Sequence, residues 1–286
     1  MSISNLSQAL KFYFTAKTIN SVHSPFLYDF LHYILDLRRE FYIDYSIEAQ
    51  RQRLLKDKRI ITYNDIGAGS HSNSSMSQVS KSIAQLTRVS SSNKFKCRLI
   101  RNVLTYFNPR TVIELGTNFG IATAYMHHAV PSAELISVEG IKPIYDIADD
   151  MIKRITRSTN LSLVHDTFDG FIEREKAKVK ATQLVYIDGN HTYEGTISYA
   201  KTFWELNLEQ PSLRANSKVA KVLLLDDIYW SKGMQRAWLE IKSWGNCHTV
   251  DLYKLGIVLR LEEDTEPIHI KCLPRIMKPL SFGFFG

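Results

Sequence analysis

The sequence predicts an α/β protein with a doubly wound, seven-stranded sheet whose last strand runs antiparallel, beside an N-terminal helical cap. From about residue 111 onward, short apolar runs alternate with longer amphipathic stretches, which is typical of βα units around a buried parallel sheet. Two final apolar runs leave no room for a helix between them. The first 92 residues lack this alternation and contain aromatic helical stretches instead.

The predicted strands follow the chain in order. Five of them open βα units, at 111–116, 134–140, 161–166, 183–189 and 219–227. Their helices are predicted at about 120–129, 142–157, 168–178, 193–206 and 232–244. The last two strands, 249–255 and 257–262, lie on either side of Gly256, where a tight antiparallel turn is expected. Ligands of such a sheet bind outside the carboxyl ends of its parallel strands.

Three parts of the chain are expected from this pattern. Residues 1–92 form a helical cap or lid, 93–262 form the main domain and 263–286 form a C-terminal tail. A linking helix at about 94–107 joins the first two parts. The polar stretch SHSNSSMSQVS, residues 70–80, is predicted to be a mobile loop.

Composition narrows the class of protein. The chain has 286 residues, of which 44% are hydrophobic and 23% charged, an ordinary globular mixture. It shows neither a secretory signal nor a run of about 18 apolar residues. Its three cysteines are too few and too scattered for a fully paired disulfide framework. We therefore expect a cytoplasmic protein that does not bind membranes.

The net charge of +7 would suit an anionic partner. However, Lys and Arg are interspersed with Asp and Glu, and no basic run of five or more residues occurs. Solvated charged faces explain this pattern better, so a nucleic-acid partner is not expected. The aromatic N-terminal helices offer a surface that a homodimer could bury.

Acidic residues and glycines mark the predicted strand ends. The first strand runs into Glu114-Leu-Gly116-Thr-Asn-Phe-Gly120, a spacing unlike the G-x-G-x-x-G of dinucleotide sites. Glycine lets the backbone approach a ligand closely and adopt positive φ. Glu139 ends the second strand, where an acid can accept hydrogen bonds from ribose hydroxyls, and Asp166 ends the third. Each glycine alone could be structural, but three acids at successive strand ends favour a ligand site.

Over about 94–262 the sequence resembles the class I S-adenosylmethionine-dependent methyltransferases, which have a Rossmann-like sheet with an antiparallel last strand. In that family the first acid and the glycine loop hold the methionine part of the cofactor, the second acid holds ribose and the third contacts adenine. The resemblance implies S-adenosyl-L-methionine as cofactor. The implied binding residues are Glu114, Gly116, Thr117, Gly120, Glu139, Gly140, Asp166, Thr167, Phe168 and Asp188.

A second group of polar residues follows the fourth and fifth strands, as Asp188-Gly-Asn190-His191 and Asp226-Asp227. Carboxylates from neighbouring strand ends can converge on a hard divalent cation such as Mg²⁺. This cation would activate and align a bound hydroxyl. We therefore predict a metal site at Asp188, Asp226 and Asp227, with Asp188 and His191 as catalytic residues and His191 as the base. The alternative is that Asp188 and Asp226 only cap helices or hold backbone amides.

This second group resembles the metal-dependent O-methyltransferases that act on catechols, acyl-CoA phenolics and macrolide sugars. Asp227 stands where the catechol type has asparagine, and His191 where it has lysine, which favours the sugar-modifying type. YIDGNHTYEG, LLLDDIYWSKGMQRAW, NSVHSPF and DIGAGS also resemble a bacterial group of class I methyltransferases with no known acceptor.

Two further features are ambiguous in the sequence. Asp65-Ile-Gly67-Ala-Gly69-Ser70 imitates a cofactor loop, but its polar flanks favour a lid or an acceptor-side loop. Tyr193, Tyr229 and Trp230 could line an acceptor pocket or pack in the core.

The favoured function is methyl transfer to a hydroxyl oxygen of a small molecule. One alternative is a non-catalytic binding or regulatory protein that has kept the fold. The other is an RNA ribose methyltransferase. Base N-methylation is disfavoured because the Asn/Asp-Pro-Pro-aromatic motif is replaced by Asp188-Gly-Asn190-His191.

Overall fold

The structure is a computed structural model that describes residues 3–64, 78–204, 213, 219–262 and 265–274. Its helices in these ranges are α1 (Ile3–Thr15), α2 (Pro25–Ile34), α3 (Tyr42–Lys56), α4 (Ile83–Ser90), α5 (Lys94–Phe107), α6 (Ile121–Ala129), α7 (Lys142–Ile155), α8 (Phe168–Arg174), α9 (Lys176–Ala181), α10 (Tyr193–Trp204) and α11 (Lys232–Lys242). The strands are β1 (Ile60–Asn64), β2 (Gln78–Ser82), β3 (Thr111–Leu115), β4 (Glu134–Glu139), β5 (Leu161–His165), β6 (Leu184–Ile187), β7 (Val219–Asp226), β8 (His248–Asp251), β9 (Leu255–Leu261) and β10 (His269–Lys271).

The described strands β3 to β10 form one eight-stranded sheet in the order β10-β8-β9-β7-β6-β3-β4-β5. Strand β9 pairs antiparallel with β7 and β8, and the other neighbouring strands pair parallel. The predicted doubly wound α/β class is confirmed. The eighth strand, β10, was not predicted because only three of its residues pair, in a proline-interrupted segment of the expected tail.

The turn between β8 and β9 lies at 252–254, and the prediction that it surrounds Gly256 was wrong. Tyr253 has a φ of +69°, and its backbone N–H donates to Asp251 Oδ1 at 3.0 Å, which closes the turn. Gly256 is paired inside β9 instead. A Cβ on Gly256 would lie 2.7 Å from the Trp238 ring, so this glycine is needed for packing against α11.

Each face of the large sheet has its own hydrophobic core. Val112 of β3 belongs to one core together with Phe30 and Leu104 from α2 and α5. The next residue, Ile113, belongs to the core on the opposite face, together with Trp238 of α11. Successive strand side chains point to opposite faces, which explains this division. The N-terminal helices therefore share a core with the sheet.

A separate hairpin of β1 and β2 lies in the N-terminal part. The prediction of a loop over 70–80 was wrong for 78–80, which lie in β2, while 65–77 lie outside the described residues. The two strands mix apolar and polar side chains, and the Thr62 and Ser80 hydroxyls are 2.8 Å apart. The mostly polar sequence of β2 therefore lacks the usual signal of a strand in a core.

None of the helices in the described ranges is both long enough and apolar enough to cross a membrane. Helix α5, which leads into the sheet, has the predicted limits. Asn93 caps its start by accepting a hydrogen bond from the Lys96 backbone N–H at 2.9 Å. Asn108 ends it in the left-handed conformation, with a φ of +47°.

Candidate active site

The turn after β3 requires its two glycines. Gly116 has a φ of +112°, and a Cβ there would lie 2.2 Å from the backbone oxygen of Asp188. Gly120 has a φ of +77°, and its Cβ would lie 2.7 Å from Met151 Cε. Since side chains rarely adopt such backbone conformations, the turn depends on glycine at both positions. The turn thereby brings the end of β3 against the end of β6.

Glu114 lies beneath this turn and is fully buried. Its Oε2 accepts hydrogen bonds from the hydroxyls of Thr123 and Ser137, both at 2.5 Å, while Oε1 has no partner among the described residues. Burial raises the pKa of Glu114 to about 8, although the two hydroxyls oppose this rise. Glu114 therefore supports the turn from below. The structure does not place it in the cavity wall.

Glu139 joins the ends of β3 and β4. Its Oε2 accepts a hydrogen bond from the Asn118 backbone N–H, and its Oε1 accepts one from Ile141, both at 2.9 Å. Burial raises the pKa of Glu139 although these amides favour its charged form. Glu139 and Gly140 both line the cavity described below. The second predicted acid is thus held rigidly at the cavity wall.

The third predicted acid, Asp166, forms an ion pair with Arg174 and accepts a hydrogen bond from the Thr167 backbone N–H. It does not line the cavity, but Thr167, Phe168 and Asp169 do. Asp169 lies one helical turn beyond Asp166, in the first turn of α8. The sequence predicts an acidic residue after β5 at the cavity wall, but it does not indicate whether Asp166 or Asp169 faces the cavity.

These strand ends surround a cavity of about 690 Å³. The sheet side of its wall includes Gly116, Glu139 and Phe168, together with Asp188 at the end of β6. The opposite side comes from the N-terminal part, namely Tyr63, Ser80, Lys81, Gln85, Leu86, Val89 and Ser90. Thr117 and Gly120 shape the turn without lining the cavity. The hairpin and α4 therefore cover a crevice at the carboxyl ends of parallel strands, where this fold class binds ligands.

Three candidate ligand atoms meet next to the cavity. Side-chain atoms of Asp188, His191 and Asp226 lie within 4.8 Å of one another, and His191 Nε2 is 3.9 Å from Asp188 Oδ1. Asp188 Oδ2 accepts hydrogen bonds from the hydroxyls of Tyr186 at 2.9 Å and Ser92 at 3.4 Å. Asp227, which the sequence analysis included as a metal ligand, is not part of this group. Its backbone turns away from β7 with a φ of +45°.

Lys96 is a member of this site that the sequence analysis missed. Its Nζ lies 2.5 Å from Asp226 Oδ2, and the two side chains are only 12% and 2% exposed. Burial alone would lower the pKa of Lys96, but the charges of Asp226 and Asp188 outweigh burial and raise it. The sequence places Lys96 in the linking helix but does not show that this helix reaches the end of β7.

The pKa values of the two aspartates shift in opposite directions. Burial raises the pKa of Asp226 well above its usual range, and the negative charge of Asp188 adds to this rise. Burial acts in the same direction on Asp188, but its hydrogen bond with the Asp226 carboxyl and the charge of Lys96 outweigh it. The pKa of Asp188 is therefore lowered, and the pair favours an ionised Asp188 next to His191.

A divalent cation does not fit these residues as they are arranged. Mg²⁺ binds a carboxylate oxygen at about 2.1 Å and needs that oxygen free. The ammonium of Lys96 already lies 2.5 Å from one Asp226 oxygen, so a cation bound there would lie against a second positive charge. The three candidate ligand atoms are close enough to share an ion, but an ion would have to displace Lys96 from Asp226.

A second cleft of about 460 Å³ has His191 in its lining. Its lining includes Tyr193, Trp230, Lys232 and Arg236. Trp230 is 65% exposed, and the guanidinium carbon of Arg236 lies 3.7 Å from the centre of the Tyr193 ring. Asp188 lines the large cavity and His191 lines this cleft. The two residues therefore connect the cavity with the cleft.

Tyr229 does not line either space. Its hydroxyl donates to Asp251 Oδ2 at 2.6 Å, and its ring stacks on Tyr253 with the ring centres 5.3 Å apart. Of the two aromatic residues after β7, Trp230 therefore faces a cleft and Tyr229 packs inside.

The family model described as "Methyltransferase domain" matches residues 113–210. This match covers the glycine turn, the ends of β4 and β5, and Asp188. Residues 113–210 are therefore similar to a methyltransferase domain. No curated protein matches the chain in sequence.

Two solved structures share the fold, and a third is less similar. An O-methyltransferase from Bacillus cereus in complex with SAH is 14% identical, with a TM-score of 0.51 over 60% of this chain and 83% of that chain. A Klebsiella pneumoniae protein, provisionally described as an O-methyltransferase, is 10% identical, with a TM-score of 0.51 over 79% and 92%. An SAH-bound methyltransferase from Podospora anserina is 13% identical, with a TM-score of 0.49 over 79% and 98%.

Proposed function

We propose that this protein transfers the methyl group of S-adenosylmethionine to a hydroxyl oxygen of a small molecule. The observation that carries this proposal is the cavity of about 690 Å³ at the ends of β3, β4 and β6, inside the methyltransferase domain. The SAH bound to the Bacillus cereus relative supports the choice of cofactor.

Within the cavity, each part of the cofactor would meet a different strand end. The turn at Gly116 would contact the methionine part, since its backbone can approach closely without a side chain. Glu139 would accept hydrogen bonds from the ribose, because a carboxylate oxygen can accept more than the one amide bond that each of its oxygens has here. Phe168 would lie against the adenine, with Asp169 nearer to it than the predicted Asp166.

We place the acceptor hydroxyl beside His191. The imidazole would take the hydroxyl proton, and the Asp188 carboxylate, 3.9 Å from its Nε2, would stabilise the resulting positive charge. The cleft lined by Trp230, Lys232 and Arg236 also has His191 in its lining and would give the acceptor access to the imidazole. Because the methyl group is already activated on a sulfonium, alignment and exclusion of water account for most of the catalysis.

A divalent cation remains part of the sequence-based prediction, but the contact between Lys96 and Asp226 favours a site that works without one. A cytoplasmic location also remains a proposal. Its support is that Cys97, Cys247 and Cys272 are all buried and unpaired, as expected in a reducing compartment.

Calorimetric titration with S-adenosylhomocysteine tests this function. We expect micromolar binding by the wild type and an affinity at least about tenfold weaker in Glu139→Ala, which loses a hydrogen-bonding group in the cavity. Glu134→Ala is the matched control, because Glu134 is an exposed residue at the other end of the same strand. Absence of binding by the folded wild type would refute the proposed cofactor and favour a non-catalytic role.

A further inference from the structure

A buried lysine holds the acidic group beside the cofactor cavity. The Lys96 ammonium donates a hydrogen bond to Asp226 Oδ2 at 2.5 Å. At 12% and 2% exposure, these side chains are largely removed from water, so their ion pair is much less screened than a surface pair.

The position of Lys96 is fixed by its helix. Lys96 lies in the first turn of α5, and its backbone N–H is held by the Asn93 side chain. The neighbouring residue Cys97 is fully buried, and its Sγ donates to the Ser92 backbone oxygen at 3.4 Å. The Ser92 hydroxyl in turn donates to Asp188. The start of α5 therefore contacts both aspartates of the group.

Lys96 offsets negative charge in this group. Its ammonium lies 2.5 Å from Asp226 Oδ2, and the Asp188 side chain belongs to the same cluster. Converging carboxylates attract a metal ion through the same electrostatic attraction. With Lys96 bound, one oxygen of Asp226 is taken and the negative charge of the group is reduced.

We infer that Lys96 is the built-in cation of this site and replaces a divalent metal ion, so that methyl transfer, if the proposed function holds, requires no metal. Lys96 acts as a positioning residue. It holds Asp226 through the ion pair, and Asp188 of the same group lies 3.9 Å from His191 Nε2. The chain thus keeps the acidic geometry of a metal site while supplying the positive charge from its own linking helix.

Manganese binding tests this inference directly, because Mn²⁺ accepts both carboxylate and imidazole ligands. Calorimetric and electron paramagnetic resonance titrations with Mn²⁺ should show no specific site in the wild type. Lys96→Ala should gain one Mn²⁺ site, at least about tenfold tighter than any non-specific binding by the wild type, since it leaves Asp188, His191 and Asp226 without their cation. The double variant Lys96→Ala with Asp226→Asn should lose this gain.

Two matched variants separate the charge from the space that the side chain fills. Lys96→Arg keeps the positive charge and should exclude Mn²⁺ as the wild type does. Lys94→Ala removes a lysine from the same helical turn whose partner is Glu40, at 3.6 Å and about 40% exposure, and should leave Mn²⁺ binding unchanged. If Lys96→Ala does not fold, Lys96→Gln takes its place as a neutral side chain of similar length.

The Mn²⁺ titrations distinguish a site whose cation is Lys96 from a site that binds a metal ion. Stoichiometric Mn²⁺ binding by the wild type that Asp226→Asn abolishes would overturn the inference, as would failure of both neutral variants to gain a site. S-adenosylhomocysteine binding is measured on the same samples. Its absence in the wild type would refute the proposed function alone, because the Mn²⁺ result does not depend on the cofactor.

Discussion

The buried carboxyl of Glu114 shows how the fold changes the chemistry of a single side chain. Two hydroxyls donate to one of its oxygens, and the other oxygen has no partner among the described residues. Burial raises its pKa to about 8, so the carboxyl is mostly protonated at neutral pH. The turn after β3 is therefore supported by an uncharged carboxyl group.

This proton makes the stability of the protein depend on pH. The pKa of Glu114 is about 8 in the folded protein and 4.5 in its usual environment, so the bound proton stabilises the fold at low pH. That stabilisation is lost as the pH rises from the lower value to the higher one. Because one pKa unit corresponds to about 1.4 kcal/mol, the loss amounts to several kcal/mol.

We expect Glu114→Gln to remove this dependence, because its amide carries no titrating proton. Urea unfolding near pH 5 and near pH 8 measures the change in the free energy of unfolding between them. That change should be smaller in Glu114→Gln than in the wild type, and Glu134→Gln, at an exposed site, should match the wild type. Equal changes in all three proteins would mean that Glu114 is already ionised in the fold.

At the scale of elements, the turn between β3 and α6 depends on close contact with β6. The Gly116 and Thr117 backbone N–H groups both donate to Val138 O, at 3.0 and 3.1 Å, so the turn is tied to β4 as well. The backbone oxygen of Asp188 occupies the space where a side chain at Gly116 would lie. Three strand ends therefore have to fit together around one glycine.

Gly116→Ala should consequently lower both stability and cofactor affinity. The added Cβ meets Asp188 O at 2.2 Å and the φ of +112° is strained, which together cost at least about 1–3 kcal/mol. Chemical unfolding and titration with S-adenosylhomocysteine measure the two effects. Gly245→Ala is the control, because no heavy atom lies within 4 Å of its added Cβ. An unaltered Gly116→Ala protein would show that β3 and β6 can separate at this point.

The elements also show how far the sequence predicts the fold. Helix α5 begins and ends as predicted because local capping residues, Asn93 and Asn108, determine both limits. The helix predicted over 168–178 is divided at Glu175 into α8 and α9, although apolar periodicity continues across the break. Gly256 has a role that depends on Trp238, which belongs to another element. The sequence therefore predicts a helix limit correctly where neighbouring residues determine it, and it fails where a residue of another element does.

The same limit applies to the candidate site. Gly116, Glu139, Phe168 and Asp188 lie at strand ends, so a strand pattern alone brings them to one crevice, and the structure places all four in the cavity wall. Lys96 reaches Asp226 across 130 positions of sequence. No motif marks such a contact, since it depends on how α5 packs against the sheet.

At the scale of the whole molecule, the N-terminal helices pack together with the large sheet. Arg101 of α5 donates to Asp44 of α3 at 2.6 Å, and these side chains are 3% and 2% exposed. Arg101 also donates to the backbone oxygen of Arg39 at 2.9 Å. Since α5 also begins beside Asp226, the same helix connects the N-terminal core to the acidic site.

We therefore expect the N-terminal part and the sheet to unfold together. Asp44→Ala leaves the Arg101 charge buried without its partner, which should cost about 3–5 kcal/mol in the free energy of unfolding. The control Asp36→Ala breaks a more exposed ion pair with Arg39 and should cost less than about 1 kcal/mol.

Hydrogen exchange followed by mass spectrometry shows which parts of the chain lose stability in Asp44→Ala. If the N-terminal helices and the sheet share one core, the variant should lower protection from exchange in β3 and β6 as much as in α2 and α3. Loss of protection confined to the N-terminal helices would mean that these helices open alone. The cavity would then lose its N-terminal wall without unfolding of the sheet that carries Glu139 and Asp188.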